Sequence, residues 1–171
     1  YLYTVEAFRL YFQRLTSTGM LSVSRWVAAV AVTEVPRAVL LAQQALREEG
    51  IAEPNAHLAV LQGFKIGTLL VSRQPFTSSE IDTLSAIARR RGFRLLFPAP
   101  ALANPIAAVA MRGPEVFRGG LPIDPPRDDC PFFFQVLPPF RRYDKEYVSS
   151  VGIIGAGIYA LQVLMVVMVG I

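Results

Sequence analysis

Residues 57–73 read His-Leu-Ala-Val-Leu-Gln-Gly-Phe-Lys-Ile-Gly-Thr-Leu-Leu-Val-Ser-Arg, and this stretch decides the fold. His57–Gln62 and Ile66–Arg73 are rich in residues typical of strands, and a short link that contains Gly63 separates them. Such a short link favours an antiparallel hairpin. We therefore predict that the two strands pair directly and form one end of a sheet.

Helical and strand patterns alternate on both sides of this hairpin. Apolar residues recur at helical spacing over 4–15 and 77–91, Thr77 and Glu80 form a capping-box pattern, and Gly50 can end a third helix. Further short strands are predicted at 20–26 and 93–97. Because strands alternate with helices, we predict an α/β fold with a partial, doubly wound, mainly parallel Rossmann-like sheet and the antiparallel hairpin at its end.

Composition divides the chain into three parts. Residues 1–97 carry the α/β pattern, whereas ten of the 13 prolines lie between residues 98 and 139. We interpret residues 98–146 as a proline-rich extension and hinge. Residues 147–171 are almost entirely apolar, with no charged side chain after position 147.

The apolar run at 147–171 is long enough to be a transmembrane helix, since about 20 such residues span a bilayer. The basic residues Arg141, Arg142 and Lys145 precede it, and this pattern favours a cytoplasmic position for the preceding domain. Small residues in the run predict other transmembrane helices as partners within the bilayer. A buried core helix is the alternative interpretation.

Charge and cysteine content exclude several classes of function. The formal charge is +4, but the basic residues are scattered, so we predict no nucleic-acid partner. The lone Cys130 excludes an internal disulfide and a cysteine-based zinc site. Adjacent carboxylates such as Asp128 and Asp129 seldom converge on one ion, so we expect them to cap the backbone or pair with Arg127, and we predict no metal site.

The end of the first predicted strand is the best candidate for a pocket. In open α/β sheets, ligands bind beyond the carboxyl ends of the strands. Ser24, Arg25 and Trp26 occupy that end here. The alternative is that Trp26 packs beneath a loop and Arg25 is solvated, and the sequence alone leaves both interpretations open.

Four stretches resemble a known family. Residues 1–8, Tyr-Leu-Tyr-Thr-Val-Glu-Ala-Phe, and the region from Leu15 through Gly19-Met20-Leu21-Ser22 resemble a helix and strand in the carboxyl-terminal half of spermidine synthase-like domains. Ile66–Arg73 resembles the last strand of that fold, which is shared with S-adenosylmethionine-dependent methyltransferases. Asp128–Phe134 before an apolar run is similar to a bacterial integral-membrane subgroup of this family.

The resemblance implies transfer of an aminopropyl group from decarboxylated S-adenosylmethionine to a small-molecule amine, by an enzyme of the bacterial inner membrane. Such chemistry needs a Gly-rich loop for the nucleoside, an acidic residue for the ribose and a carboxylate base. The sequence has no G-x-G-x-x-G run, and the family's catalytic aspartate would precede Tyr1. We therefore expect no catalytic or cofactor-binding residue here and an inactive part of a larger transferase.

Two departures from the family pattern put the acceptor in question. Ser24 stands where spermidine synthases usually carry a Gln that helps to hold the diamine, and Leu61 or Gln62 stands where they carry a Tyr. Arg25 would also repel a cationic diamine. Two alternatives therefore remain: a methyltransferase that uses S-adenosylmethionine and another acceptor, or a non-catalytic domain that regulates a bundle of membrane helices.

Overall fold

A computed structural model describes residues 2–27, 34–100, 102–116, 123–131 and 133–134, together with the single positions Ala160, Leu164 and Met168. Within these ranges the chain forms four helices, four strands and two 3₁₀ turns. In chain order these elements are α1 (Val5–Arg14), β1 (Met20–Trp26), α2 (Glu34–Glu48), a 3₁₀ turn (Pro54–His57), β2 (Leu58–Gly63), β3 (Ile66–Ser72), α3 (Ser78–Arg90), β4 (Arg94–Phe97), α4 (Pro105–Arg112) and a 3₁₀ turn (Pro114–Val116).

The predicted helix starts are confirmed by their side-chain caps. The Thr4 hydroxyl accepts a hydrogen bond of 3.2 Å from the Ala7 backbone N–H and begins α1. Thr77 and Glu80 bond reciprocally at the start of α3, as the capping-box pattern predicts. Each cap satisfies backbone N–H groups that have no partner inside the helix.

The sheet differs from the one that the sequence predicts. The β2–β3 hairpin is confirmed, but the strand order is β1-β3-β2-β4 and all three pairings are antiparallel. The prediction of a mainly parallel, doubly wound sheet of the Rossmann-like, methyltransferase type is therefore wrong. Within the described residues, the architecture is four helices packed with a four-stranded antiparallel sheet.

The topology explains how this sequence pattern misleads. Strands β1 and β2 are joined by α2 and run in the same direction, but β3 lies between them. Strands β3 and β4 are joined by α3 and also share a direction, with β2 between them. Each strand–helix–strand connection thus joins two parallel strands that are not neighbours in the sheet. The strand that lies between them runs in the opposite direction, as in the split βαβ motif.

Helix α2 lies at the centre of the core. Eleven of its 15 residues are buried, and it contacts α1, α4 and the face of the sheet formed by β1 and β3. The proline-rich region contributes to the same core through Ile106, Ala107 and Phe133. Packing of this region against α2 therefore extends the core beyond the segment in which the sequence predicts the α/β domain.

The predicted transmembrane helix at 147–171 lies outside the described residues, apart from Ala160, Leu164 and Met168, which are helical and exposed. Among the helices that the structure describes, none is both long enough and apolar enough to cross a bilayer.

The central position of α2 predicts the effect of Leu41→Ala. Leu41 is fully buried in the main core, so its truncation removes apolar contacts and leaves a cavity. We expect the free energy of unfolding, measured with chemical denaturant, to fall by about 2–5 kcal/mol. The matched control is Leu102→Ala, because Leu102 is 88% exposed and its truncation is expected to cost less than about 0.5 kcal/mol. Equal losses in the two variants would contradict this description of the core.

Candidate functional site

The three residues predicted at the end of β1 point to two different faces of the sheet. Exposure alternates along β1, with Ser24 and Trp26 on the open face and Arg25 on the face that carries the core. Trp26 is 56% exposed. The structure therefore places the three residues at one end of the sheet but does not bring their side chains together.

The open face carries a row of side chains that crosses three strands. Ser24 and Leu61 are both paired with Thr68 of β3, one from each side. The hydroxyl groups of Ser24 and Thr68 lie 2.9 Å apart and form a hydrogen bond. Trp26 is next on this face along β1. The four residues Ser24, Trp26, Leu61 and Thr68 thus combine two hydroxyl groups with an exposed indole on one face of the sheet.

The core face carries Arg25 between aromatic rings. Its guanidinium carbon lies 4.0 Å from the centroid of the Tyr3 ring and 5.3 Å from that of Phe134. Its Nε atom is buried and has no hydrogen-bond partner among the described residues. A buried polar atom of this kind usually has a partner in a native protein, so its environment requires an explanation.

Glu34 lies near Arg25 because α2 approaches the sheet closely. Gly67 is opposite Arg25 in the register, and a Cβ atom at Gly67 would lie 2.8 Å from side-chain atoms of both Val27 and Val35. The missing side chain at Gly67 therefore lets the first turn of α2 pack against the end of β1. This packing sets the Glu34 carboxylate close enough to Arg25 for each charge to influence the other.

The two charges influence each other without forming an ion pair. Burial raises the pKa of the Glu34 carboxyl, and the Arg25 charge and the Trp26 backbone amide oppose that rise only in part. Burial likewise lowers the pKa of Arg25, and the charge of Glu34 opposes this effect. Within the described part of the chain, no carboxylate oxygen lies within the 4.0 Å ion-pair distance of Arg25.

Arg37 is buried and has a different role from Arg25. Its Nε donates to the backbone carbonyl of Asp124 at 3.1 Å, and its Nη1 donates to the carbonyl of Phe133. Burial lowers the pKa of Arg37, and the nearby Asp124 carboxylate opposes that change. These bonds fasten the segments around residues 124 and 133 to α2, and they place Phe133 and Phe134 beside Tyr3.

The other sequence candidates have structural roles. Arg127 forms ion pairs with Glu6, at 3.1 Å, and with Glu48, instead of the predicted pairing with Asp128 or Asp129. His57 is buried, and its Nδ1 lies 3.0 Å from the carbonyl oxygen of Ser72. No group of three or more His, Cys, Asp or Glu side chains that could hold a metal ion occurs in the residues that the structure describes.

Sequence reasoning missed Tyr3, Glu34 and Phe134. They belong to the segment before α1, the first turn of α2 and the proline-rich region, so no local pattern connects them with Arg25. The positional rule for strand ends identifies Arg25, but only the packing of the helices identifies its neighbours. Comparison with known proteins found no matching family model, no matching curated protein and no matching solved structure.

The position of Glu34 predicts a pH-dependent signal next to Arg25. The chain contains a single tryptophan, so protein labelled with ¹⁵N only in tryptophan has one backbone amide signal, that of Trp26. We expect this signal to shift with a midpoint above 4.5, the ordinary pKa of a glutamate, because Glu34 is the carboxylate that the Trp26 amide faces. Glu34→Gln should abolish the shift, whereas Glu53→Gln, which removes an exposed carboxylate from the turn before β2, should leave it unchanged.

The same raised pKa fixes the sign of the effect on stability. A carboxyl group whose pKa is higher in the folded than in the unfolded protein stabilises the folded state fully when the pH is below its unfolded-state pKa. This contribution is lost as the pH rises through its folded-state pKa. Glu34→Gln should therefore unfold at higher denaturant concentration than the wild type at pH 7, and the difference should diminish as the pH falls towards 4.5. A variant less stable than the wild type at pH 7 would contradict the assignment.

Proposed function

We propose that this chain is part of a spermidine synthase-like transferase. Its acceptor face, the surface formed by Ser24, Trp26, Leu61 and Thr68, contacts the amine that receives the aminopropyl group. The observation that carries the proposal is the row formed by Ser24, Thr68 and Leu61. In the resemblance, Ser24 stands where the family usually carries a Gln that helps to hold the diamine, and Leu61 or Gln62 stands where the family carries a Tyr. Ser24 and Leu61 lie far apart in the sequence. In the register of the sheet both positions are opposite Thr68, so they share one face.

The elements that carry the resemblance also support the proposal. Three of the four resembling stretches overlap α1, β1 and β3, and β1 pairs with β3 along its whole length from Met20 to Trp26. Tyr3 and Thr4, from the first of these stretches, lie against Arg25 and at the cap of α1. The resembling residues thus form one contiguous part of the structure.

The face of β1 from which the Arg25 side chain projects favours aminopropyl transfer over methyl transfer to another acceptor. An arginine beside a cationic amine would oppose binding, but Arg25 projects from the opposite face of β1 to Ser24 and Trp26. The residue that adjoins Ser24 on the open face is Trp26, whose exposed indole attracts cations through its ring face. The acceptor face therefore suits an ammonium group.

The proposed reaction divides the work between this chain and the rest of the protein. The amine nitrogen attacks the aminopropyl carbon bonded to the sulfonium sulfur of decarboxylated S-adenosylmethionine. A C–N bond forms as the C–S bond breaks, the sulfur keeps the electron pair and leaves as methylthioadenosine, and the nitrogen loses one proton to a carboxylate base. The chain has no Gly-rich nucleoside loop, so its contribution would be to hold and orient the amine.

The test uses the protein that contains this chain together with its nucleoside-binding part. With 1,4-diaminobutane as the acceptor, we expect methylthioadenosine to form from decarboxylated S-adenosylmethionine, and no S-adenosylhomocysteine from the carboxylated form, with both products measured by mass spectrometry. Methyl transfer would instead support the alternative acceptor chemistry. Binding of neither donor in a calorimetric titration would contradict both transferase functions and favour a non-catalytic domain.

Trp26→Ala provides the residue-level prediction for this function. Loss of the indole removes the cation–π contact, so we expect kcat/KM for the diamine to fall about tenfold, while the affinity for the nucleoside donor stays unchanged. Trp26→Phe should retain part of the activity because it keeps an aromatic face. The matched control is Phe64→Ala, which removes another exposed aromatic ring (88% exposed) from the β2–β3 turn. Equal effects of Trp26→Ala and Phe64→Ala would contradict the assignment.

A further inference from the structure

The structure assigns a second small-molecule site to the core face of β1. We propose that Arg25 and Glu34 together bind a small zwitterion, with the carboxylate of the ligand on Arg25 and its ammonium group on Glu34. This site differs from the acceptor face, because Arg25 and Ser24 project from opposite faces of β1. Its ligand class is an amino acid or another molecule that carries both charges.

Arg25 has hydrogen-bonding capacity that the described residues leave unused. The guanidinium group lies over the ring of Tyr3 at 4.0 Å, and such stacking leaves the N–H groups in its plane for acceptors. Nε has no partner among the described residues, and no carboxylate of that part of the chain forms an ion pair with Arg25. The carboxylate of a ligand is the acceptor whose geometry matches this planar set of donors.

The opposite charges of Arg25 and Glu34 together favour a ligand that carries both charges. A simple anion at Arg25 would meet repulsion from Glu34, and a simple cation at Glu34 would meet repulsion from Arg25. Both groups are partly desolvated, as the displacement of both pKa values by burial indicates. A molecule that presents one charge to each group avoids both repulsions and is attracted at both ends.

Neither Arg25 nor Glu34 is fully buried. Arg25 and Glu34 are half-buried, and Phe134, which borders Arg25, is 58% exposed. Part of each charged group and part of the Phe134 ring are therefore in contact with solvent, where a small ligand can meet them. The aromatic border formed by Tyr3 and Phe134 would cover the carbon chain of the ligand and lower the local dielectric constant, which strengthens both charge contacts.

The test measures binding by NMR with the chain itself. In protein labelled with ¹⁵N only in tryptophan, the Trp26 backbone amide lies beside Glu34, whereas the indole N–H of the same residue is on the opposite face. Glycine, 3-aminopropanoate and 4-aminobutanoate, whose charges differ in separation, are titrated at constant ionic strength. We expect at least one of them to shift the backbone amide in a saturable way while the indole signal changes little.

Monofunctional probes and variants identify the two contacts. Acetate and 1-aminobutane, each with one charge, should bind at least about tenfold more weakly than the best zwitterion. Arg25→Gln and Glu34→Gln should each reduce the affinity for that zwitterion about tenfold. Arg112→Gln, which removes an exposed cation at the end of α4, should leave it unchanged, and circular dichroism establishes that each variant is folded.

Other outcomes overturn the proposal. They are the absence of saturable binding by all three zwitterions, binding of acetate as tight as that of the best zwitterion, or an equal loss of affinity in Arg25→Gln and Arg112→Gln. The assay contains no sulfonium donor and measures no transfer. Its failure is therefore distinguishable from a failure of the transferase function, which is measured by product formation in the whole protein.

Discussion

The burial of helix α2 is the constraint on which the rest of the structure depends. The helix is covered by α1, by α4 and by the β1–β3 face of the sheet, so most of its surface is removed from water. A helix buried on nearly all sides must be apolar around most of its circumference, and 11 of its 15 residues are buried. The two polar residues among them are satisfied by specific partners: Gln43 bonds to Asn55 and to the Ala110 carbonyl, and Arg37 bonds to carbonyls of the proline-rich region. These bonds determine which segments can lie against α2.

The local elements could be predicted from the sequence, whereas the order of the strands could not. Helix starts follow from caps that are local in sequence, such as Thr4 and Thr77, and the hairpin follows from the short link at Gly63. Whether a strand–helix–strand connection skips a position depends on which strand later fills the gap. The position of each strand in the sheet is determined by packing between distant parts of the chain. The alternation of helices and strands therefore suggested parallel neighbours, whereas all neighbouring strands that the structure describes are antiparallel.

The candidate site was predictable in position but not in organisation. The rule that ligands bind at strand ends led to Ser24, Arg25 and Trp26, and the alternation of side chains along a strand then separates Arg25 from the other two. The remaining groups, Tyr3, Glu34 and Phe134, come from three other segments, and their approach depends on the glycine at position 67 and on the tether formed by Arg37. A sequence can show which residues have the right chemistry, but it does not show which helix will bring them together.

The buried Arg37 and the half-buried Arg25 differ in how their charges are compensated. Both are partly removed from water, which is costly for a charged group unless hydrogen bonds compensate it. Arg37 receives that compensation from the carbonyls of Asp124 and Phe133, and in return it holds the proline-rich region on α2. Arg25 has aromatic rings around it but no acceptor for its buried Nε within the described residues, and an unsatisfied donor of this kind costs about 1–3 kcal/mol. An apolar side chain would fill the same space against Tyr3 without that cost, and the proposed zwitterion would supply the acceptor that Nε lacks among the described residues.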